Sequence, residues 1–435
     1  MYPNLYYIFR DAFGIKIEWL KFVNSFGFFV AVSFIISAMV LAADMKRKER
    51  LGLLTYQEAD ILVGKGANWG EVLLNAFFGF LLGFKIIGCA FQSEPVFNDP
   101  QGYLFSSRGS IGAGLLLAIV FGGLKLYYGQ KEKLTKPEKR TIRIWPHDRV
   151  GDIIILAAVF GFAGAKVFHN LENWDDFIKH PLASIFSAGG FTFYGGLICA
   201  TIAIIVLAKK HKIELWNLAD TFGPTMMIAY ALGRIGCQVS GDGDWGVPNS
   251  AYAADSTANI VLADSTVFKK TIADNLAYYK DEFRTLGEVN TAADVPHLAV
   301  KAPSWLPDWA FAYSYPHNVN EVGIKLSNCI DDKYCNYLPA PVFPTPFYET
   351  LMCLVLFFIL WGLRSKIKTP GVIAGLYLIF NGVERFFIEK IRVNTHYHIF
   401  GMEPTQAEII SFLLVLIGIV IIVVRSRSKE TKPIR

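Results

Sequence analysis

Four basic residues interrupt stretches of the sequence that are otherwise apolar enough to cross a membrane. They are Lys85, Lys166, Arg234 and Arg385. A charged side chain inside a membrane span is costly, so each one marks a functional hypothesis with a partner to be found. In the orientation derived below, all four lie in the outer half of their spans. Cations gathered at one depth suit an anionic group there, and the phosphate of a phospholipid headgroup is the most available one.

Arg234 stands in a Gly-Arg-Ile-Gly run at 233–236, at the outer end of a predicted span. The flanking glycines allow close backbone approach, and a guanidinium can hold a phosphate through two parallel hydrogen bonds. The turn at 241–246 that follows is rich in glycine and contains Asp242 and Asp244. Polar loops of this kind often bind or position a ligand. The alternative is that Arg234 only extends to the membrane interface, as arginines at span ends commonly do.

A second charged group falls on one predicted helix face. Arg385, Glu389 and Arg392 follow one another at spacings of four and three, which places them on the same side of a helix. Asn381 extends this face by one turn. Arg385 and Glu389 can pair across a turn, and the alternative interpretation is that they only neutralise each other within the bundle. Glu349 is the remaining acid inside a span, and it would serve as a general acid or base or orient an arginine.

The composition explains why these charges stand out. Of the 435 residues, 53% are hydrophobic and 18% are charged, and the mean hydropathy is +0.36. Soluble globular chains carry about 25% charged residues, so the composition argues against a soluble enzyme and for a membrane protein. The net charge of +5 gives no reason to invoke nucleic acid.

The apolar runs predict an all-α polytopic membrane protein. A spanning helix needs about 20 mostly apolar residues. Runs of about that length predict nine transmembrane helices, near 22–43, 71–92, 110–127, 151–168, 190–208, 219–239, 346–363, 371–391 and 407–424.

Basic residues set the predicted orientation, with the N-terminus outside and the C-terminus inside. Together with Lys125, the inner loops then hold more than half of the 42 Lys and Arg residues, and they are 44–70, 128–150, 209–218, 364–370 and 425–435. All five loops agree with the positive-inside rule. The first apolar run is followed by its basic cluster, which predicts a signal anchor rather than a cleaved signal peptide.

Residues 241–345 form one long hydrophilic segment on the predicted outer side. A structureless loop of that length is uncommon in a compact protein, so we expect a small folded extracytoplasmic cap. The predicted division is therefore 1–240 with six helices, this inserted cap, and 346–435 with three helices and a basic cytoplasmic tail. Cys329 and Cys335 would close a small disulfide loop if the cap faces an oxidising compartment.

An internal repeat relates two predicted hairpins. Phe-Gly-Phe at 78–80 followed by Lys85 resembles Phe-Gly-Phe at 160–162 followed by Lys166. The two stretches then align without a gap at Pro100 and Pro181, Gly109 and Gly190, and Gly114 and Gly195. Residues 71–127 thus look like a duplicated copy of the hairpin at 151–208. The alternative is that any two glycine-rich membrane hairpins look alike.

These motifs together resemble the prolipoprotein diacylglyceryl transferase family of bacterial inner membranes. The Gly-Arg-Ile-Gly run, its acidic turn and the Trp-Gly at 245–246 match the family signature, and the Pro-Thr-Pro-Phe-Tyr-Glu run ending at Glu349 is similar to its Pro-Ser-Gln-Leu-Tyr-Glu. Residues 382–392 look like its Gly-x-x-Arg-x-x-x-Glu-x-x-Arg motif, and 193–198 is similar to its Phe-His-Gly-Gly-Leu-Ile. The resemblance covers roughly 22–43, 151–246 and 344–424.

The resemblance implies transfer of the diacylglyceryl group of phosphatidylglycerol to the lipobox cysteine thiol of a prolipoprotein signal peptide. Glycerol phosphate would be released, and the protein would be a multi-pass enzyme of the bacterial inner (plasma) membrane, without a cofactor or metal. Because a phosphate leaves, arginines should carry the electrostatic part of the catalysis. The implied site has the catalytic residues Arg234, Arg385, Tyr194, Glu349 and Asp242, and the headgroup-binding residues Arg234, Arg385, Lys166, Glu389, Asp244, Gly241 and Gly246.

The sequence departs from the family pattern at several positions. Tyr194 stands where the family has the histidine that is the usual candidate for deprotonating the thiol, and a phenol with an ordinary pKa near 10 is a poor base at neutral pH. Cys237 replaces an asparagine, and Phe26 and Asn381 each replace a tyrosine. Either Tyr194 hydrogen-bonds the thiol or the phosphate and another group takes the proton, or the chain is an altered or inactive relative that binds phospholipid or prolipoprotein. A transporter is a third hypothesis, from the repeat and the intramembrane charges.

Overall fold

The computed structural model of the chain describes residues 1–89, 91, 103, 106–187, 190–284, 288–327, 329, 333–394, 397–398 and 403–427. Pro100 of the aligned repeat and residues 428–435 of the basic tail lie outside the described residues.

Long helices alternate with short polar segments along the described chain. The α-helices are α1 (Leu5–Phe13), α2 (Ser25–Arg50), α3 (Trp69–Leu82), α4 (Ile111–Lys131), α5 (Val150–Glu172), α6 (Trp174–Lys179), α7 (Pro181–Phe186), α8 (Phe193–Lys210), α9 (Leu215–Ser240), α10 (Ser265–Asp274), α11 (Leu276–Glu282), α12 (Thr345–Leu363), α13 (Val372–Glu389) and α14 (Gln406–Arg427). The strands are β1 (Gln57–Val63), β2 (Glu138–Ile144), β3 (Tyr252–Ala254), β4 (Ile260–Leu262), β5 (Ile324–Lys325) and β6 (Asn336–Tyr337). They form three antiparallel pairs, β1 with β2, β3 with β4, and β5 with β6.

Seven helices in the described part of the chain are long and apolar enough to cross a membrane. They are α2, α3 with the π-helical turn that continues it, α4, α5 with the turn before it, α8, α12 and α14. The other two predicted spans are helical as well, but α9 is interrupted by polar residues and Pro224, and α13 carries Glu384, Arg385 and Glu389. The chain is therefore a helical multi-pass membrane protein, while the count of nine spans and the orientation stay predictions.

The described chain forms two compact units, one of which is inserted into the other along the sequence. The first unit contains Met1–Met45 and Trp216–Arg435, and the second contains Lys46–Leu215.

The second unit contains both copies of the predicted repeat. Helix α3 packs against α4, and α5 packs against α8. In the first hairpin, Lys85 Nζ donates to the carbonyl oxygens of Tyr103 and Arg108, each at 2.9 Å. In the second, Lys166 Nζ donates to the carbonyl oxygen of Ser187 at 3.0 Å. Each lysine therefore binds the backbone that connects its two helices, a contact that a duplicated hairpin would share.

The core of the first unit lies between α9, α12 and α13. Met227, Ala231, Cys353, Leu360 and Ile373 are among its buried members. Within a membrane the lipid tails are as apolar as these side chains, so close van der Waals packing rather than their removal from water holds the helices together.

Helix α2 is tied to this core by polar contacts at two levels. Ser33 Oγ donates to the carbonyl oxygen of Ala229 at 3.0 Å. Further along α2, the fully buried Asp44 pairs with Arg364, whose guanidinium lies 3.2 Å from the centre of the Trp361 ring. A buried carboxylate needs such a partner, so the pair fixes the end of α2 against the end of α12.

Asp220 is of a residue type that commonly caps the helix it begins, but it caps a different helix here. It lies inside α9, and its two carboxylate oxygens accept hydrogen bonds from the backbone N–H groups of Gly371 and Ala374, both at 2.9 Å. Gly371 precedes α13 and has no side chain with which to cap it. Asp220 therefore caps the neighbouring helix, because its carboxylate satisfies N–H groups that α13 leaves unpaired. At the start of α14, Thr405 and Glu408 form a capping box of the usual kind.

The predicted cap region, 241–345, has mixed local structure. It contains α10, α11 and the short strands β3 to β6, and its buried cluster includes Phe268, Ile272, Tyr279 and Phe283. Cys329 and Cys335 form a disulfide. The boundaries of this region as a separate insertion, and the side of the membrane it faces, stay predictions.

Candidate active site

The candidate site lies where three helices of the first unit meet the loop that follows α9. Arg234 lies near the end of α9, Glu349 near the start of α12, and Arg385 and Glu389 near the end of α13. Arg392 lies just beyond α13. The structure thus brings together the charged residues that the sequence placed on separate predicted spans.

Glu349 is the centre of this group of charges. Its side chain is fully buried, and Arg234 Nε lies 2.8 Å from its Oε2. Its Oε1 lies 3.6 Å from Arg385 Nη1 and 3.8 Å from Arg392 Nη1, and it accepts a hydrogen bond from the Tyr230 hydroxyl at 3.0 Å. Because a buried carboxylate is stable only with such partners, Glu349 holds three guanidinium groups in one place.

Asp244 is a second acid shared between arginines. It pairs with Arg234, and its Oδ1 lies 2.6 Å from Arg392 Nη2. The Thr345 hydroxyl donates to the backbone oxygen of Asp244 at 2.6 Å, which ties the loop to the start of α12. Burial by itself would raise the pKa of Asp244, but the charges of Arg234 and Arg392 lower it to about 2. Asp244 is therefore ionised at neutral pH.

Asp242, two residues earlier, is placed differently. Its Oδ1 accepts the Asp244 N–H at 3.4 Å, and its carboxylate lies beside Cys237. No arginine lies within ion-pairing distance of it in the described residues. Burial is the largest influence on its carboxyl group and raises the pKa of Asp242 above its usual range. The two loop aspartates therefore differ: Asp244 positions arginines, and Asp242 is suited to exchange a proton.

Gly241 and Gly246 shape the loop that carries these aspartates. Gly241 has φ of 66°, a left-handed conformation that favours glycine. At Gly246, an added Cβ would lie 2.5 Å from the carbonyl oxygen of Ile391 and 3.0 Å from Phe343 Cβ. The loop therefore lies directly against the chain that leads to Arg392.

The arginines keep donors for a ligand. Arg385 Nη2 lies 2.9 Å from Glu389 Oε2, and Glu389 Oε1 accepts from the Asn394 side-chain amide at 2.7 Å. The Arg385 side chain is 26% exposed, compared with 16% for Arg234 and 15% for Arg392. Each guanidinium has five N–H donors, more than the contacts above use. Arg385 is thus the arginine of the three that a ligand reaches most easily.

Tyr230 and Glu384 belong to this region but were missed by the sequence reasoning. Tyr230 precedes Arg234 by one helical turn, so its position on the same face of α9 was a usable signal. Glu384 is 1% exposed, and neither of its carboxyl oxygens has a hydrogen-bond partner among the described residues. An ionised carboxylate without a partner at such a position would cost several kcal/mol.

Lys166 and Tyr194, the remaining predicted site residues, belong to the second unit. Lys166 Nζ contacts the backbone and hydroxyl oxygens of Ser187, at 3.0 and 2.6 Å. Tyr194 lies at the start of α8 and is 37% exposed. The lysine has a structural contact of its own, and the proposed roles of both residues stay predictions.

One group of side chains has the spacing of metal ligands. Cys237 Sγ and carboxylate oxygens of Asp242 and Asp244 lie within 4.8 Å of one another. However, Asp244 already has two guanidinium partners, and a cation there would sit beside Arg234 and Arg392. Like charges at this distance repel, so the two guanidinium groups argue against a metal ion at this place.

The arrangement is suited to holding a phosphate. Three guanidinium groups converge, and buried carboxylates fix each of them before a ligand arrives. Donors that are fixed in advance stabilise developing negative charge without reorganising during the reaction. Bonds from guanidinium groups to phosphate are strong because both partners are charged.

The chain is similar to known proteins over most of its length. Residues 112–424 match the family model described as prolipoprotein diacylglyceryl transferase. The chain is similar to the phosphatidylglycerol–prolipoprotein diacylglyceryl transferase of Streptococcus agalactiae, with 26% identity over 323 residues that cover 73% of this chain and 90% of that protein. It is also similar to the protein of the same name from Staphylococcus saprophyticus, with 24% identity over 279 residues that cover 64% and 74%.

Proposed function

The chain belongs to the prolipoprotein diacylglyceryl transferase family, and from that premise we propose how its charged cluster transfers a diacylglyceryl group from phosphatidylglycerol to a prolipoprotein. The acceptor is the thiol of the lipobox cysteine in the signal peptide, and glycerol phosphate is released. The enzyme works as a multi-pass protein of the bacterial inner membrane. The observation that supports these details is the convergence of Arg234, Arg385 and Arg392 on the buried Glu349.

Arg234 and Arg385 hold the phosphate of the lipid in this mechanism, and Glu349, Glu389 and Asp244 orient them. The thiolate sulfur attacks the glyceryl carbon that carries the phosphate, so a carbon–sulfur bond forms and the carbon–oxygen bond breaks. The electron pair of the broken bond stays on the phosphate oxygen of the leaving glycerol phosphate. The arginines stabilise this added charge, which is the main electrostatic contribution to the rate.

The thiol proton must go to a base, and two candidates remain. Tyr194 replaces the family histidine, and Asp242 lies in the loop next to the arginines. The raised pKa of Asp242 brings that carboxylate closer to the range in which a general base is effective. We propose that Asp242 accepts the proton and that Tyr194 contributes only a hydrogen bond.

Transfer by the purified protein from phosphatidylglycerol to a lipobox peptide tests both the function and the base. We expect a mass gain of one diacylglyceryl group on the cysteine. Asp242→Asn should lower kcat by about 10²-fold or more, within the usual range for loss of a general base, whereas Tyr194→Phe should lower it less. In the parent, transfer should rise with pH as Asp242 loses its proton, and this rise should disappear in Asp242→Asn.

Two outcomes of this assay would contradict the proposals separately. Absence of any mass gain in the parent would favour a relative that only binds lipid or prolipoprotein. A Tyr194→Phe variant that is as slow as Asp242→Asn, with the pH dependence kept in the latter, would assign the base to Tyr194.

Gly246→Ala should weaken the site by displacing the loop. The added methyl would meet the backbone of Ile391, and relief of the clash moves Asp244 away from Arg392. We expect a loss of roughly 1–3 kcal/mol in stability and at least a tenfold fall in transfer rate. Gly362→Ala is the matched control, because an added Cβ there has nothing within 4 Å. Equal rates for the two variants would show that the loop is not held by this contact.

A further inference from the structure

A small cavity lies beside the arginine cluster, in the predicted cap region. Its volume is about 160 Å³. Its walls come from the loop that contains Gly243 and Trp245, from α11, from the segment 338–342, and from Arg392. Arg392 therefore faces the cavity while its guanidinium also contacts Asp244 and Glu349.

The polar groups of this cavity come from different elements. Helix α11 supplies Tyr278, Tyr279 and Glu282, and the chain after α13 supplies Arg392. The Tyr279 hydroxyl accepts the Ala340 N–H at 3.1 Å, which leaves its own hydrogen to donate. The cavity thus offers a carboxylate that accepts, a guanidinium that donates, and phenols that do either.

The volume limits what the cavity can hold. A cavity of about 150 Å³ accommodates a six-carbon ring in another protein. A glycerol group, with three carbons and three oxygens, is of similar size. An acyl chain or a folded peptide segment is too large.

We infer that this cavity binds the free glycerol of the phosphatidylglycerol headgroup while the phosphate stays on the arginines. The inference rests on the proposed function and adds to it a basis for headgroup choice. The vicinal hydroxyls of glycerol can donate to Glu282 and accept from Arg392 and a phenol.

The position of Arg392 connects the two parts of the ligand. Its Nη2 contacts Asp244, which also pairs with the phosphate-holding Arg234. Phosphate and glycerol are joined by one ester oxygen, so adjacent sites for the two groups match their chemistry. The same cavity then holds the glycerol part of the released glycerol phosphate.

A comparison of transfer from two lipids tests whether the cavity recognises the hydroxyl groups of the lipid headgroup. Phosphatidylpropanol has a headgroup of similar length without the free diol. We expect the parent to prefer phosphatidylglycerol at least tenfold in kcat/KM, because a site built to bind a hydroxyl rejects an analogue that lacks it. Tyr278→Phe and Glu282→Gln should each reduce this ratio about three- to tenfold, as loss of one hydrogen bond would. Asp281→Asn, on the same helix but not in the cavity wall, should keep the parent ratio.

Product inhibition provides a second measurement, which distinguishes binding of glycerol phosphate from binding of inorganic phosphate. Glycerol phosphate should inhibit the parent more strongly than inorganic phosphate, and the two variants should lose this difference while inhibition by inorganic phosphate is unchanged. An unchanged lipid ratio in Tyr278→Phe and Glu282→Gln, with transfer intact, would overturn the inference. So would variants that raise the KM of the peptide alone, which would assign the cavity to the prolipoprotein. Absence of transfer in the parent would overturn the proposed function and this inference with it.

Discussion

Arg234→Ala is expected to lower kcat/KM for diacylglyceryl transfer by about 10²–10³-fold, the usual effect of removing one fixed donor to a developing anion. Arg234 contacts Glu349 through Nε and Asp244 through Nη1, so one planar side chain joins a helix to the loop. Arg234→Lys should recover little, because an ammonium cannot make both contacts with the same geometry. Arg385→Ala should lower kcat/KM by a similar factor. Arg385 is the most exposed arginine of the cluster and therefore the one that the lipid phosphate reaches most easily.

Arg364→Ala is the matched control for loss of a buried arginine. Arg364 also pairs with a buried carboxylate and lies over an aromatic ring. It is 15 residues beyond Glu349 along α12, or about 22 Å. This variant should lose stability and yield, while the protein that remains folded keeps the parent kcat/KM. Full activity in both Arg234→Ala and Arg385→Ala would refute the phosphate site.

Glu349→Gln and Glu384→Gln should have opposite outcomes although both residues are buried glutamates. Glu349 faces three arginines, and neutralising it leaves their charges poorly balanced. Loss of one partner from a buried charge pair costs about 3–5 kcal/mol. We therefore expect Glu349→Gln to unfold at lower temperature and to transfer at least 10²-fold more slowly. Glu384→Gln should be close to the parent, because neither oxygen of that carboxyl group has a hydrogen-bond partner among the described residues to lose.

The thermal midpoint and the transfer rate, measured on the same preparations, decide between these expectations. Glu384→Ala serves as a packing control, since it removes volume as well as the carboxyl group. If Glu384→Gln were as slow as Glu349→Gln, then Glu384 would be ionised in the working enzyme. Parent behaviour in Glu349→Gln would mean that the arginines are held by other contacts.

Several features of the site followed from the sequence by simple physical rules. The cost of charge in a membrane singled out Arg234 and Arg385, and helical spacing paired Arg385 with Glu389, which the structure places 2.9 Å apart. The same rules found the apolar helices, because length and hydropathy are local properties. They were less informative for α9 and α13, where polar residues needed for the site dilute the apolar signal.

Other features depend on contacts between distant parts of the chain. Asp220 follows the local rule for an N-cap, but the N–H groups it satisfies belong to residues 371 and 374. Residue order alone does not distinguish Asp244 from Asp242 as the partner of the arginines, because the difference depends on loop glycines with positive φ. Glu384 looks like a partner for the adjacent Arg385, yet neighbouring residues on a helix do not face each other.

The ion pair between Asp44 and Arg364 also imposes a delay on folding during synthesis of the chain. The two residues are 320 positions apart, and the whole second unit lies between them. At about 5–20 residues per second, Arg364 is made roughly 15–60 s after Asp44. During that interval the carboxylate that ends up fully buried must stay in water or use temporary partners. Completion of the first unit therefore waits for the ribosome to pass α12, long after its first membrane helix has been made.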